Sequence, residues 1–451
     1  MKTKTKYVTF ILISILAAYV AINLSNLLTK DAKPIEQPKP FKAVTVLPST
    51  PIKVEKFEFH NLEVHPSPDI IKEIDHQLTQ LTDVQLYNVS LLAQEGIVTG
   101  TFSQEQNTVI PRGRSLVNVE PYATPQANPV GKKLWEIEYF YGIDKVTSKG
   151  EGMTIAIVVP AGSPTLVNDL KVFSAAMGIP DASVSFIYPQ GVPTTYNDSW
   201  ALETTLDAQW AHALAPKAKL LMVITNSSTI SGLLQGIDAA VAAGAKIVST
   251  SWGSVEWASQ LSGKYIDTWK AAGVTFVCAS GDSGLGATYP SIHPSVIAVG
   301  GTTCTVDAKG IVTETSWDRG AGGQSKFYPK PSWQAKVNSS AFRQAPDVSF
   351  HATGYSVYIS SGYQKKPAGW YNVSGTSASA PCVAGLVARG YALKKTPVTG
   401  LHNQLYTNSS LFFKDITSGT QLNGGKVLKG YDMSSGLGSP QAVPFVNELT
   451  K

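Results

Sequence analysis

Three cysteines, Cys278, Cys304 and Cys382, are too few for a disulfide framework, and no two of them stand at a zinc-site spacing. Each lies in an apolar run, which predicts buried thiols and leaves a Cys278–Cys304 bridge as the lesser alternative. Cysteine usage therefore does not identify the compartment. Basic clusters are also missing. A net charge of +5 is modest for 451 residues and the lysines are scattered, so nucleic acid is not an expected partner. No internal repeat appears. Disorder is excluded by 43% apolar residues with regularly spaced glycines, which describe a globular chain with a large core. The length suggests two domains and a tail.

At the N-terminus Lys2, Lys4 and Lys6 precede an uncharged run over residues 7–29. A basic start and a run long enough to span a bilayer read as a signal anchor or a signal peptide over residues 1–31, with the rest exported. No clean small-x-small cleavage site ends the run, which favours the anchor. Residues 32–52 hold five prolines and form a linker. Residues 53–108 predict a small α+β unit, with strand-like 57–64 and 96–102 around a helical 70–81. Residues 109–131, with four prolines, form a second linker.

After residue 132 the pattern changes. Met153-Thr154-Ile155-Ala156-Ile157-Val158-Val159 is a continuous apolar run, as suits a parallel strand buried on both faces. A helix over 165–177, a strand over 184–188, a helix from about 199 and a strand over 218–224 follow. The series continues with a helix over 230–243, a strand over 246–251, a helix near 265–272, and strands over 274–279 and 295–300. This βαβα order predicts a doubly wound, mostly parallel sheet covered by helices on both faces. Ligands in such sheets bind at the carboxyl ends of the strands, which directs attention to the residues just after them.

Two carboxylates, Glu203 and Asp207, share one helix face at a spacing of four. Their apolar neighbours leave little room for a solvated face, and close carboxylates in a dry setting push their pKa values apart, as an acid/base pair requires. The competing reading is that both favour the positive end of an exposed helix. A third carboxylate, Asp282, follows the strand over 274–279 in Ser280-Gly281-Asp282-Ser283-Gly284, although Asp is also an ordinary turn residue. Ser377, in Ser374-Gly375-Thr376-Ser377-Ala378-Ser379-Ala380-Pro381, stands where a loop becomes a helix. Free N–H groups there suit a nucleophile whose substrate develops an oxyanion, and equally suit a serine cap. Of the seven histidines, His60, His65 and His76 belong to the N-terminal unit. His212 falls off the carboxylate face of its helix, and His293, His351 and His402 are expected in loops. A carboxylate is thus the simpler base for Ser377.

The serine stretch resembles the serine motif of the subtilisin clan. Glu203-x-x-x-Asp207 combined with Ser280-Gly281-Asp282-Ser283-Gly284 resembles the sedolisin family, the serine-carboxyl peptidases. Ser251-Trp252-Gly253, Tyr289-Pro290, Val296 to Thr302, Gly430-Tyr431-Asp432 and Gly436 to Pro440 match in family order, from about residue 134 to 445. The resemblance implies a subtilisin-like peptidase domain over 132–451, acting on polypeptides as a monomer. It assigns Ser377 as nucleophile, Glu203 as general base and Asp207 as the residue that orients and tunes it. Protonated Asp282 would donate to the oxyanion, so that activity falls as pH rises. It also implies one structural Ca2+ held by Asp415 and Asp432 side chains and the carbonyls of Ile416, Leu428 and Gly430.

Three features depart from the family. Val158-Val159-Pro160-Ala161-Gly162 lacks the acidic residue that relatives often carry after the first strand, the stretch before residue 132 is shorter than the usual prosegment, and the sequence pI near 8.8 is high for a protein working in acid. Two other functions are compatible with the motifs: a tripeptidyl exopeptidase of the same family, and a catalytically silent exported binding protein. Retention of all four chemical residues argues against the second.

Overall fold

The computed structural model describes residues 110–111 and 128–450, apart from 272, 285, 363–366, 395–399, 408 and 422–424. The N-terminal apolar segment, the linker 32–52 and the α+β unit 53–108 lie outside these residues, as does most of 109–131. Within 109–131, however, Ile110–Pro111 is a strand antiparallel to Trp252–Val255, with Ile110 opposite Gly253 and Pro111 opposite Trp252. Proline is compatible with this edge position because it need not donate to a further strand. Among the described residues no helix is long and apolar enough to cross a membrane.

Helix α1 (Leu134–Tyr141) opens the described domain, and β1 (Thr154–Pro160) starts the main sheet. Then come α2 (Leu166–Met177), β2 (Ser183–Ile187), α3 (Asp198–Leu214), β3 (Lys219–Thr225), α4 (Ile230–Ala242), β4 (Ile247–Thr250) and β5 (Thr275–Ala279). The sheet is completed by β6 (Val296–Val306), β7 (Val312–Ser316) and β8 (Val348–His351). Its order is β7-β6-β5-β4-β1-β3-β2, with β8 pairing in parallel to the first part of β6. All neighbours are parallel except β7, which folds back on the end of β6.

The apolar run of β1 supplies two cores at once. Ile155, Ile157 and Val159 join the cluster that contains Leu170 and Phe173 of α2 and Leu206 and Trp210 of α3. Ala156 and Val158 face the other way, onto Ile230, Leu233 and Ile237 of α4. Successive strand residues point to opposite faces, so a strand covered on both sides must be apolar throughout. The doubly wound expectation holds for that reason.

A hairpin of β9 (Tyr355–Ile359) and β10 (Gly369–Val373) leads into α5 (Thr376–Lys394), which is buried from Thr376 to Tyr391. This helix runs against α3 and beneath β4, β5 and β6. Gly385 allows the close approach of α3: a Cβ there would lie 2.5 Å from the Leu214 Cβ.

The expected helix near 265–272 is broken into a single turn, Lys264–Asp267, and a 3-10 turn, Thr268–Lys270. Tyr265, Ile266, Thr268 and Trp269 are all weak helix formers. Burial of Trp269 against Trp252, Phe276 and Tyr289 sets the local path instead. All three cysteines are free and buried, so the Cys278–Cys304 bridge does not form.

Candidate active site

Helix α3 starts at Asn197, whose side chain accepts the Trp200 N–H at 3.1 Å, a regular N-cap. From Trp200 to Leu214 every residue of the helix is buried. Glu203 is 2% exposed and Asp207 0%, which removes the exposed-helix reading of their spacing. Neither carboxylate takes part in an ion pair among the described residues. Burial pushes Glu203 well above the usual glutamate range. The charge of Asp207 adds to the rise, the Ser377 hydroxyl beside it pulls the other way, and Asp282 raises it further. Burial likewise raises Asp207, against a lowering by the Ser251 hydroxyl, which donates to Asp207 Oδ1 at 2.7 Å. Two such carboxyls in one dry space do not both ionise readily, so the pair retains a proton well above the usual range.

Ser251 follows β4 and Asp282 follows β5, so both lie at carboxyl ends of neighbouring strands. The Asp282 turn is tied down on several sides. Gly281, at φ 121°, donates to Thr376 Oγ1 at 3.0 Å and accepts from Ala321, while Gly284 donates to the Arg319 carbonyl. Asp282 Oδ1 accepts both the N–H and the hydroxyl of Thr376, each at 2.7 Å.

Ser377 is the second residue of α5, where backbone N–H groups have no partner earlier in the helix. Its Oγ is buried and has no hydrogen-bond partner among the described residues, and the same holds for Glu203 Oε1 and Asp207 Oδ2. The hydroxyl is near enough to bias the titration of Glu203, yet outside hydrogen-bond geometry, as catalytic contacts often are without substrate. Pro381 has no N–H to offer the carbonyl four residues back, which is that of Ser377. Ser251 Oγ lies 3.4 Å from that freed carbonyl oxygen.

Gly375 completes the arrangement. A Cβ on this residue would stand 2.9 Å from Asp282 Oδ2 and 3.6 Å from the Ser377 nitrogen. Glycine thus leaves a space the size of one heavy atom, bordered by a carboxyl oxygen and a helix N-terminal amide.

The structure brings Glu203, Asp207, Asp282 and Ser377 together, and adds Ser251, Thr376 and Gly375. Ser251 carried a signal in its Ser-Trp-Gly motif after a strand, and Gly375 and Thr376 lay inside the serine motif, but their contacts depend on long-range folding. Two histidines are placed differently from expectation. His351 ends β8, its Nδ1 accepts the Cys304 N–H at 3.0 Å, and burial holds its pKa down to about 3. His402 lies in the helix Leu401–Thr407 and stacks on Trp333. Both were drawn out of loops by tertiary packing. His212 is buried and bonds the Pro180 carbonyl at 2.8 Å. None of these imidazoles, nor His293, hydrogen-bonds Ser377. Trp252 Nε1 donates to the Val158 carbonyl at 2.8 Å, beside the stretch that lacks an acidic residue.

The residues expected to hold calcium form a separate group. Asp415 Oδ2 accepts the Gly430 N–H at 2.8 Å and Asp432 Oδ2 accepts the Leu428 N–H at 2.7 Å, so both carboxylates meet one loop. Asp432 Oδ1 also accepts from Ser434 and Ser435. Ile416 is buried and Leu428 exposed.

The raised carboxyls carry a stability consequence. A carboxyl whose folded pKa lies above its unfolded value binds its proton more tightly when folded. Stability is therefore lost as pH climbs from the usual 4.5 through the folded value. Glu203→Gln removes that titration, so its melting temperature should match the parent near pH 4 and exceed it increasingly toward neutrality. The slope of the difference is up to about 1.4 kcal/mol per pH unit. Calorimetry at pH 4 and pH 7 checks this, and a difference that does not change with pH refutes it.

Comparison with known proteins accords with this site. A family model described as "Subtilase family" matches residues 196–417. Kumamolisin from Bacillus sp. (strain MN-32) is 32% identical over 343 residues, covering 66% of this chain and 60% of that protein. Sedolisin from Pseudomonas sp. (strain 101) is 28% identical, over 63% of this chain and 56% of the relative. A tripeptidyl-peptidase of Arthroderma otae is 29% identical over 212 residues. The chain thus spans 60% or less of these relatives' own lengths. Among solved structures, Pseudomonas sedolisin, a serine-carboxyl proteinase complexed with two molecules of pseudo-iodotyrostatin, superposes with a TM-score of 0.61 at 25% identity. The match covers 71% of this chain and 98% of that one. Buried carboxylates around a helix-terminal serine, on a doubly wound sheet and in the company of these relatives, support the sedolisin family of the subtilisin-like clan as the one this chain resembles.

Proposed function

We propose that this chain is a serine-carboxyl endopeptidase that hydrolyses peptide bonds through an acyl-enzyme on Ser377, in acid. One observation carries the reading: Glu203, Asp207, Asp282 and Ser377 are all buried and Glu203 feels the other three, while Asp282 Oδ2 and the Ser377 N–H border a one-atom space at Gly375. Ser377 Oγ attacks the scissile carbonyl carbon while Glu203 accepts its proton. The oxyanion settles beside Gly375, where the Asp282 carboxylic acid and the Ser377 N–H donate to it. As the carbon–nitrogen bond breaks, Glu203 passes the proton to the departing amine. Water, deprotonated by Glu203, then attacks the ester, and Ser377 leaves with its proton restored. Asp207 keeps the pair's shared proton and sets the basicity of Glu203, while Ser251 fixes Asp207. A second reading, release of N-terminal tripeptides, is favoured by the tripeptidyl-peptidases among the relatives.

We extend the proposal to one structural Ca2+ at Asp415, Ile416, Leu428, Gly430 and Asp432. Asp415 Oδ1 is buried with no hydrogen-bond partner among the described residues, which suits an oxygen reserved for a cation. Two carboxylates and three carbonyls make a hard-oxygen set that fits calcium. Bound there, the ion would cross-link the 415–416 segment to the 428–432 loop. The lysine-flanked apolar run over residues 7–29 supports export, with the domain outside and the chain anchored or released.

Three experiments test these readings. Proteolysis of a denatured protein at pH 3 to 7 should be strongest in acid, and Ser377→Ala should reduce kcat by at least about a thousandfold. A parent without activity leaves the silent binding protein, and products consisting only of N-terminal tripeptides replace the endopeptidase by the exopeptidase. Calcium should raise the melting temperature over that in chelator, by about 2.7 kcal/mol of stability at a hundredfold excess over Kd. Asp415→Asn should erase that difference; an equal response of parent and variant removes the site. N-terminal sequencing of protein from membrane and medium should find it outside the cell, and a wholly intracellular chain would end the export reading.

A further inference from the structure

Thr376 precedes the nucleophile and performs none of the steps above, yet it makes two short contacts to Asp282. Its N–H and its hydroxyl donate to one and the same oxygen, Oδ1, each at 2.7 Å. The hydroxyl's own lone pair is engaged by the Gly281 N–H at 3.0 Å, which turns its hydrogen toward Asp282. A backbone N–H can only donate, so Oδ1 must be the accepting oxygen. Oδ2 is the oxygen that borders the space at Gly375, 2.9 Å from the position of the missing Cβ.

We infer that Thr376 is a positioning residue: by holding Oδ1 as an acceptor, it directs the proton of the Asp282 carboxylic acid to Oδ2, facing the oxyanion. This rests on the peptidase reading above. The same pair of donors stabilises the ionised carboxylate more than the acid and so lowers the pH at which the catalytic proton is lost. Thr376 thereby sets both where that proton is and how far up the pH scale it survives. Glu203 of α3 is close enough to Asp282 for the two carboxyls to feel one another. Arg319 also comes near through its backbone, since its carbonyl accepts the Gly284 N–H in the same turn. None of these changes when Thr376 is substituted.

Thr376→Val deletes the hydroxyl donor and keeps the N–H, whereas Thr376→Ser keeps both. On a fluorogenic peptide, Thr376→Val should lower kcat by about tenfold with KM little changed, because the oxyanion exists only after attack. Its alkaline limb in kcat/KM should move upward by about half a pH unit or more, since the ionised form has lost a donor. Thr376→Ser should reproduce the parent's rate and limb. Thr376→Val also leaves the Gly281 N–H without its acceptor, so melting curves accompany the assays. Thr376→Ala is a second hydroxyl-free variant, read in the same way if the valine form does not fold. An active parent whose hydroxyl-free variants keep the alkaline limb in place overturns the inference and leaves the peptidase reading intact. So does a serine variant as impaired as the valine one. A parent with no proteolysis overturns both.

Discussion

Three carboxyl groups buried in one water-poor space constrain everything else in this domain. Glu203 and Asp207 are at most 2% exposed, and no cation pairs with them among the described residues. Ionising both would strand two like charges away from water, so the space favours partial protonation. The surroundings answer with hydroxyls in place of charges: Ser251 on Asp207, Ser377 beside Glu203 and Thr376 on Asp282. The contrast with Asp347 is instructive. It too is fully buried, which by itself would raise its pKa, but Arg343 at 2.7 Å and the His402 ring at 3.7 Å hold it down to about 2. One fold therefore keeps one carboxylate permanently charged for architecture and another group poised near protonation for chemistry. The difference lies in whether an arginine is supplied.

The scaffold explains how the poised group can stay dry and still be addressed. β4 and β5 end side by side and deliver Ser251 and Asp282 to one edge of the sheet, while α5 enters the core beneath them. Gly385 lets α3 lie close enough on α5 for carboxylates and hydroxyl to share a space. The wider core withstands acid in its own way. His293 and His351 are held down to about 3 by burial, so they remain neutral in the folded state across most of the acid range. That depression has a cost opposite in sign to that of Glu203: the histidines favour unfolding as pH falls below the usual 6.5, the carboxyls as it rises above 4.5. Between those values the two trends oppose each other and flatten the stability profile.

Much of this was legible in the sequence because it follows from periodicity. The run 153–159 had to be a strand with two buried faces, and the four-residue spacing of Glu203 and Asp207 had to put them on one side of a helix. The freeing of the Ser377 carbonyl by Pro381 is likewise arithmetic on the chain. Other features were not legible, since they exist only between distant segments. Thr376 meets Asp282 across 94 positions and Ser251 meets Asp207 across 44. Weak helix formers around Trp269 yielded to the packing of its ring, and His351 was drawn into a strand by pairing with β6. In each case a tertiary contact overrode a local preference.

The absence of a histidine partner for Ser377 then acquires a physical reason. An imidazole in so dry a space would be driven neutral, as His351 is, and the cation it forms on taking the serine proton would be strongly disfavoured there. A carboxyl is driven the opposite way by the same burial, toward holding a proton. Desolvation thus raises acids and lowers bases, and only the acids move into usefulness at low pH. Burial suits a cluster of carboxyls, and not an imidazole, to a serine site in acid. The hydroxyls and amides around it decide which oxygen keeps each proton.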